Sequence, residues 1–408
     1  MYRDKKANAA AIDIQGHKVL LKPRQWSPWT DLDFSLSTPS FLPNKEVRGI
    51  CRFYLQEVQP NFRLYVTPIN MDPRAAAVKI SEPDSFIHDV SDQLGPFYTT
   101  GFQEDHKARS NGIFADDEYL EQANIVLEER LALFDYALDQ FEDGLLFFYF
   151  SSSDLQSHIF WWNSDDKHPV RSAGEAKKYF GHVQRLYQKL DEVIGEVWER
   201  YGSQAAIIVM SDHGFANFAR QFNLNSWLRH NGYLSPPECQ SILHDIDWSQ
   251  TAAYGLGING LYLNLKGRER HGIIDPSDRD SLLTELATKL EAVRDTNGRQ
   301  VIRRAYRADQ VYCGNATELA PDLIIGYSRG YRASWATSLG DLTDQVLLDN
   351  NSAWSADHCA DALEVPGVLV ANRPIGGKSP MLVDMAPSIL AEFGLPTPAT
   401  MEGRNVFA

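Results

Sequence analysis

The chain reads as an α/β protein in which a mainly parallel sheet is sandwiched by helices, behind a small β-rich N-terminal unit. Three observations predict this. Short alternating segments without helical period fill the first 70 residues; long amphipathic helical patterns follow; and short, wholly apolar runs alternate with those helices.

The elements follow in order. Lys18–Lys22, Val47–Leu55 and Phe62–Thr67 alternate apolar and polar residues between Pro, Gly and Asn, so residues 1–70 are expected to form an antiparallel β unit. Residues 70–111 are rich in Pro, Asp and Ser, with room for one short helix from Pro83 to Leu94. Asp116 opens a long helix with acidic residues in its first turn and apolar residues at Leu120, Ile125, Leu127, Leu131 and Phe134, closing before Gly144. Leu145–Phe150 is apolar throughout, the pattern of a strand covered on both faces. A second helix spans Gly174–Tyr201 and stops at Gly202, and Ala205–Met210 is a second buried strand. Strands at Asp322–Tyr327 and Gly367–Ala371 and a helix at Asp384–Phe393, ended by Gly394 and Pro396, complete an α/β core over residues 71–408.

Composition narrows the function classes. The chain has 408 residues, 43% of them hydrophobic and 23% charged, which places it among ordinary globular proteins. No apolar run approaches the ~20 residues of a membrane span, so no membrane partner is expected. A formal charge of −15 disfavours the nucleic-acid backbone as a partner, although a small phosphorylated substrate is compatible with it where bound cations reverse the local field. Cys51, Cys239, Cys313 and Cys359 form no CxxC pair, and no apolar stretch follows the basic N-terminal residues; reduced thiols and a cytoplasmic location are the expectation. Oligomeric state is not legible.

The chemistry concentrates in three places. Asp154 and His158 follow the first apolar run with a spacing that puts both on one helical face, where they could share an ion. The alternative is a helix cap and a packed imidazole beside Phe160, Trp161 and Trp162. Asp212-His213-Gly214 ends the second apolar strand, with a glycine that permits a tight turn. Trp354-Ser-Ala-Asp357-His358-Cys359 lies in a loop before the last strand. Together these supply three carboxylates and three imidazoles near strand ends, the donor set of a catalytic metal centre. Arg329 and Arg332 could contact a phosphate, against the plainer reading of solvated or acid-paired side chains. Asn259-Gly260 reads as a hairpin turn rather than a phosphate cradle.

These stretches carry a family resemblance. FFYFSSSDLQSHIFWW (147–162), IIVMSDHGF (207–215), LNSWLRHNGYL (224–234), APDLIIGYSRGYRASW (320–335), SADHC (355–359) and DMAPSILAEFGLPTPATMEGR (384–404) resemble the alkaline phosphatase superfamily, in particular its type I phosphodiesterase and nucleotide pyrophosphatase branch. The resemblance implies an alkaline phosphatase-like core and a metal-dependent hydrolase of phosphoric esters using divalent ions, zinc first and manganese as the alternative. It implies that Asp154, His158 and His358 hold one ion and that Asp212 and His213 help hold a second. Such proteins also use an aspartate at the end of an early strand and a Thr or Ser nucleophile at a helix start, ahead of an inserted β region. Residues 1–70 resemble that insertion, and Thr30, Thr38, Thr67, Thr99 and Thr100 lack the setting of a nucleophile, as Asp13 lacks that of the ligand. The expectation is therefore an incomplete core, no nucleophile within these residues and a weak second ion site; the rival expectation is a non-catalytic metal-binding or interaction protein derived from the same fold.

Overall fold

The computed structural model describes residues 2–4, 8–37, 45–164, 168–169, 177–235, 246–377 and 379–407. The chain divides into two units, Met1–Gln156 and Ser157–Ala408.

In the first unit, strands β1 (Ala9–Ile14) and β2 (His17–Leu21) form a hairpin. Its two-residue loop, Gln15-Gly16, has positive φ at both positions, 49° and 86°, the geometry that matches strand twist. Strand β3 (Thr30–Leu36) pairs antiparallel with β4 (Lys45–Cys51), and β5 (Phe53–Glu57) pairs antiparallel with β6 (Arg63–Val66). The run expected as one strand from Val47 to Leu55 is thus two. At Arg52 the chain passes from one sheet to another, its amide donating to Thr67 Oγ1 while Phe53 takes up the Ser27 segment. Ala10, Ile12, Leu21, Leu32, Cys51, Phe53, Leu55 and Val58 form the core of this β region.

The long helix α1 runs Asp116–Gln140, with Glu118 accepting from the Ala115 amide at its start. Its buried stripe is Tyr119, Ala123, Val126, Leu127, Phe134 and Leu138, a 3.6-residue period, with Asp116 and Gln122 the buried polar members. The short helix expected near Pro83 is present at Asp84–Leu94.

Leu145–Phe150 corrects the sequence reading. It belongs to no ladder among the described residues, and Leu145, Phe147 and Tyr149 are 60%, 71% and 59% exposed. Phe148 and Phe150 instead turn to Phe134 of α1, with ring centroids 5.1 and 5.4 Å away. An apolar run records only that its side chains avoid water somewhere; it does not record how many faces are covered. Helix α2 (Ser152–Phe160) follows.

In the second unit, helix α3 (His182–Tyr201) ends where Gly202 donates to the Trp198 carbonyl; residues 174–176, expected to begin this helix, lie outside the described residues. Strand β7 (Ile208–Met210) leads to β8 (Ala216–Phe222), helix α4 (Leu224–His230) and the hairpin β9 (Ala253–Leu256) and β10 (Gly260–Leu263); the hairpin expected at Asn259-Gly260 is present, but it turns at residues 257–259 and Gly260 already pairs with Leu256. Helix α5 (Arg279–Glu291) precedes β11 (Ile302–Arg307), β12 (Leu323–Tyr327), β13 (Gly330–Ala333), β14 (Leu347–Asp349), β15 (Ala356–Asp357) and β16 (Leu369–Ala371), and α6 spans Met385–Glu392.

The mainly parallel sheet is not what these strands build. One sheet has the order β9-β10-β12-β11, antiparallel throughout; a second has β13-β8-β14 with β15 also on β8, where only β8 and β13 run parallel; and β7 pairs antiparallel with β16. Helix and strand mix as an α/β chain should, but alternation in sequence does not fix ladder direction, and the hairpin at 253–263 and the return of β16 onto β7 set it otherwise. Leu283, Leu286 and Leu290 of α5 are fully buried and belong to one core with Ile302, Leu323, Ile325 and Tyr327, each leucine worth on the order of 2 kcal/mol of burial. No helix among the described residues is long and apolar enough to cross a membrane. Cys51, Cys313 and Cys359 are free thiols, and Cys239 lies outside the described residues.

Candidate metal centre

Helix α2 begins where the Ser151 carbonyl accepts from the amides of Asp154 and Leu155, at 3.1 and 3.2 Å. Leu155 and Ile159 are buried four residues apart, which turns Asp154 and His158, also four apart, to a common stripe. The loop Ser211–Gly214 follows β7 and interlocks with residues 365–368: Ser211 N donates to Val368 O, Gly214 N to Val365 O, and Val368 N to Ser211 Oγ. A Cβ at Gly214 would stand 2.5 Å from the Pro366 carbonyl oxygen. The glycine of this motif therefore serves close backbone approach rather than a positive-φ turn. Strand β15 pairs with Ala216 and Asn217 at the start of β8, so His358 emerges beside the loop that carries His213.

The three imidazoles meet. His213 and His358 stack with ring centroids 3.6 Å apart and planes 14° from parallel, and His358 lies 5.2 Å from His158. Asp154, His158 and His358 each offer a ligand atom, all within 4.8 Å of one another. Asp212 has an exposed carboxylate whose Oδ1 accepts from the His213 amide at 3.1 Å and lies 3.6 Å from His213 Nε2. Of the five residues singled out in the sequence, three form the compact group, His213 adjoins it through His358, and Asp212 stays at the exposed side of His213.

His158 is buried, and its Nδ1 lies 2.7 Å from the Ala356 carbonyl oxygen. That acceptor places the ring proton on Nδ1 and leaves the Nε2 lone pair as the donor for a cation. Burial lowers its pKa to about 3, outweighing the attraction of Asp357, so the ring is neutral at physiological pH. Burial and then the neighbouring His213 also lower His358. The Trp354 indole stacks on His158 at 3.6 Å and fixes the plane of the ring.

A second possible donor group, Asp357, His358 and Cys359, shares His358. Its carboxylate is already committed. Oδ1 accepts from the amides of His358 and Cys359 at 2.8 and 3.0 Å, and Oδ2 accepts from Trp354 Nε1 at 2.7 Å and faces Arg332 Nε at 2.6 Å. Burial by itself would raise the Asp357 carboxyl, but Arg332, His158 and these hydrogen bonds outweigh it and hold it far below the usual range. Burial followed by Asp357 pushes the Cys359 thiol up to about 12, which keeps the proton on sulfur at neutral pH. The Asp154 group is thus the better donor set. Tetrahedral ligands about 2.1 Å from zinc are themselves roughly 3.4 Å apart, a spacing that small rotamer adjustments reach from the observed one.

Sequence reasoning missed how this support is organised. Arg332 is paired with an acid, but it is buried to 2% rather than solvated, lies 4.1 Å over the Trp335 ring and donates Nη1 to the Ala333 carbonyl. It anchors Asp357 and is not presented to a phosphate, whereas Arg329 is exposed and pairs with Glu364. Asp357 is an organiser of the His358 loop, and Trp354 links it to His158. The aspartate beside the histidine was the available signal. Phe160 and Trp162 are core, and Trp161 stacks near Phe215. The hydroxyls weighed as nucleophiles are structural within the first unit: Thr30 is buried, Thr67 Oγ1 accepts from Arg52, Thr99 donates to the Met71 carbonyl and Thr100 to Asn70; Thr38 lies outside the described residues.

No protein of curated function matches the chain. A sequence model of the family described as type I phosphodiesterase / nucleotide pyrophosphatase matches residues 49–343. The matched stretch contains Asp154, His158, Asp212 and His213; His358 lies beyond it and joins them through the fold. With nearly three quarters of its length so matched, and with acid and imidazole donors gathered at its loop ends, this chain belongs to the type I phosphodiesterase / nucleotide pyrophosphatase family.

Proposed function

We propose that the protein binds divalent cations through Asp154, His158 and His358, with Asp212 and His213 contributing to a second position, and that this centre serves hydrolysis of small phosphorylated substrates. The observation that carries the reading is the approach of three donor atoms to within 4.8 Å from residues some two hundred positions apart, with His213 stacked on one of them. Divalent ions bound here, zinc foremost, supply Lewis acidity toward phosphoryl oxygens and neutralise the charge that grows on them.

The chain's own residues prepare for that. The Ala356 carbonyl takes the Nδ1 proton of His158 and so aims its second nitrogen outward; Asp357 holds the His358 backbone; Asp154 brings the one negative charge of the group. Local positive charge from ions would admit an anionic substrate to a chain of net charge −15. The attacking hydroxyl is not assigned to a residue of this chain.

Titration with Zn2+ and Mn2+, read by calorimetry and by metal content after gel filtration, tests the reading. One ion retained per chain, a second held substoichiometrically, and loss of the first in His358→Ala are expected. Negligible turnover of bis-p-nitrophenyl phosphate accompanies this; turnover abolished by His213→Ala would reveal a nucleophile within the chain. A chain that retains no ion at all overturns the assignment.

A further inference from the structure

Within the first unit, Glu104 has no solvent exposure. Its Oε2 accepts from the Tyr119 hydroxyl of α1 at 2.8 Å and its Oε1 from Gln156 Nε2 of α2 at 3.1 Å. The Asp154 carboxylate adds like charge toward it, and no cation is among the described groups that bear on it. Burying a carboxylate among neutral donors is unfavourable against an apolar side chain of the same volume, so stability does not account for it. What the arrangement does secure is the angular setting of a helix. Gln156 lies on one face of α2, and Asp154, two residues before it, points about 160° away around the axis. Glu104 thus grips the back of the turn whose front presents Asp154. An Asp carboxylate stands roughly 5 Å from the helix axis, so a 20° rotation of this turn would carry it about 2 Å, several times the tolerance of a ligand site.

We infer that Glu104 is a positioning residue for Asp154, fixing the rotation of the first turns of α2 through Gln156 so that the Asp154 carboxylate is aimed at the cation. This rests on the metal reading above and adds to it a residue about fifty positions upstream in the chain that carries no metal-ligand signal.

The probe is Co2+, whose visible spectrum reports the ligand set as well as occupancy. In Glu104→Gln the amide of residue 104 presents a donor to the donors of Gln156 and Tyr119. Co2+ affinity is expected to fall between tenfold and a hundredfold with a changed d–d spectrum, while the exchange Glu104→Gln with Gln156→Glu restores one carboxylate–amide pair and recovers most of the loss. A purely structural role would lower thermal stability without altering the spectrum of the bound ion. Should Glu104→Gln fail to fold, Tyr119→Phe, which removes only the donor to Oε2, takes its place with a severalfold loss expected. A folded variant that binds Co2+ within twofold of the parent and with its spectrum overturns the inference. Asp154→Asn separates the two readings: if neither parent nor Asp154→Asn binds Co2+, the metal assignment fails; if the parent binds and only Asp154→Asn loses the ion, Glu104 alone is refuted.

Discussion

Asp357→Asn is the substitution with the largest worked consequence. The carboxylate serves Arg332, Trp354 and two backbone amides, and both it and Arg332 are almost wholly buried. The amide can keep one carbonyl oxygen on the amides of His358 and Cys359, but its NH2 then faces the guanidinium and the indole N–H, both donors. Arg332 is left as a buried charge without its counter-ion, a change that costs about 3–5 kcal/mol, with about 1 kcal/mol more for the Trp354 hydrogen bond. That is comparable to a large part of the total stability of a domain. Because the chain has two units, the measurement is the urea transition followed by tryptophan fluorescence, to which Trp354 and Trp335 contribute among nine tryptophans, with the transitions of the two units fitted separately rather than as a single whole-chain midpoint. The double variant Asp357→Asn with Arg332→Met is expected to recover much of the loss, because no buried charge remains. Zn2+ affinity is expected to fall tenfold to a hundredfold in Asp357→Asn, since Trp354 and the His358 backbone both lose their anchor. A single variant within about 0.5 kcal/mol of the parent, or a double variant no better than the single, would refute the reasoning.

The two buried carboxyls titrate with opposite sign. Burial pushes Glu104 up to about 7, so the folded state holds its proton more tightly than the unfolded; its contribution to metal-free stability is greatest below the ordinary carboxyl range and falls by about 3 kcal/mol as pH rises to 7, a component of the pH dependence that Glu104→Gln removes. Asp357 is held far below its ordinary value, so its contribution is present above pH ~4 and is lost on acidification; Asp357→Asn should remove that acid limb in urea midpoints measured from pH 2 to 6. Gly214→Ala forces a methyl to 2.5 Å from the Pro366 carbonyl oxygen, so the loop must shift, at a cost of about 1–3 kcal/mol and with weaker second-ion binding because His213 moves; an unchanged melting temperature and metal stoichiometry would contradict this. Leu286→Ala empties a fully buried position and should cost about 2–5 kcal/mol in urea unfolding while leaving Zn2+ affinity within twofold, so that stability and metal binding can be told apart.

Much of the site was legible in the residues. The spacing of Asp154 and His158 set both on one helical stripe, and the apolar stretch before Asp212 and His213 marked a strand ending in polar donors. The sequence located α6 to within a residue at each end and the start of α1, which closes at Gln140, short of the expected end before Gly144, and it located the hairpin of β9 and β10 though not the exact residues of its turn. These features are local, encoded in which side chains recur every two or 3.6 positions and in the few residues that tolerate a turn. Other features left no such trace. The direction of the ladders, the one-sided exposure of Leu145–Phe150, and the partner of Arg332 depend on what arrives from distant sequence.

The sequence by itself therefore determined the family and which acid and imidazole side chains are candidate donors, because side-chain type and spacing are written directly in the chain. Only the tertiary structure decided that His358 lies beside His158 and His213, that Asp357 is spent on Arg332 and Trp354, and that Gly214 is required by a neighbouring carbonyl. The physical reason is that coordination, burial and close approach are properties of distances between segments, and those are set when the sheets close, through pairings that no short stretch of residues specifies alone.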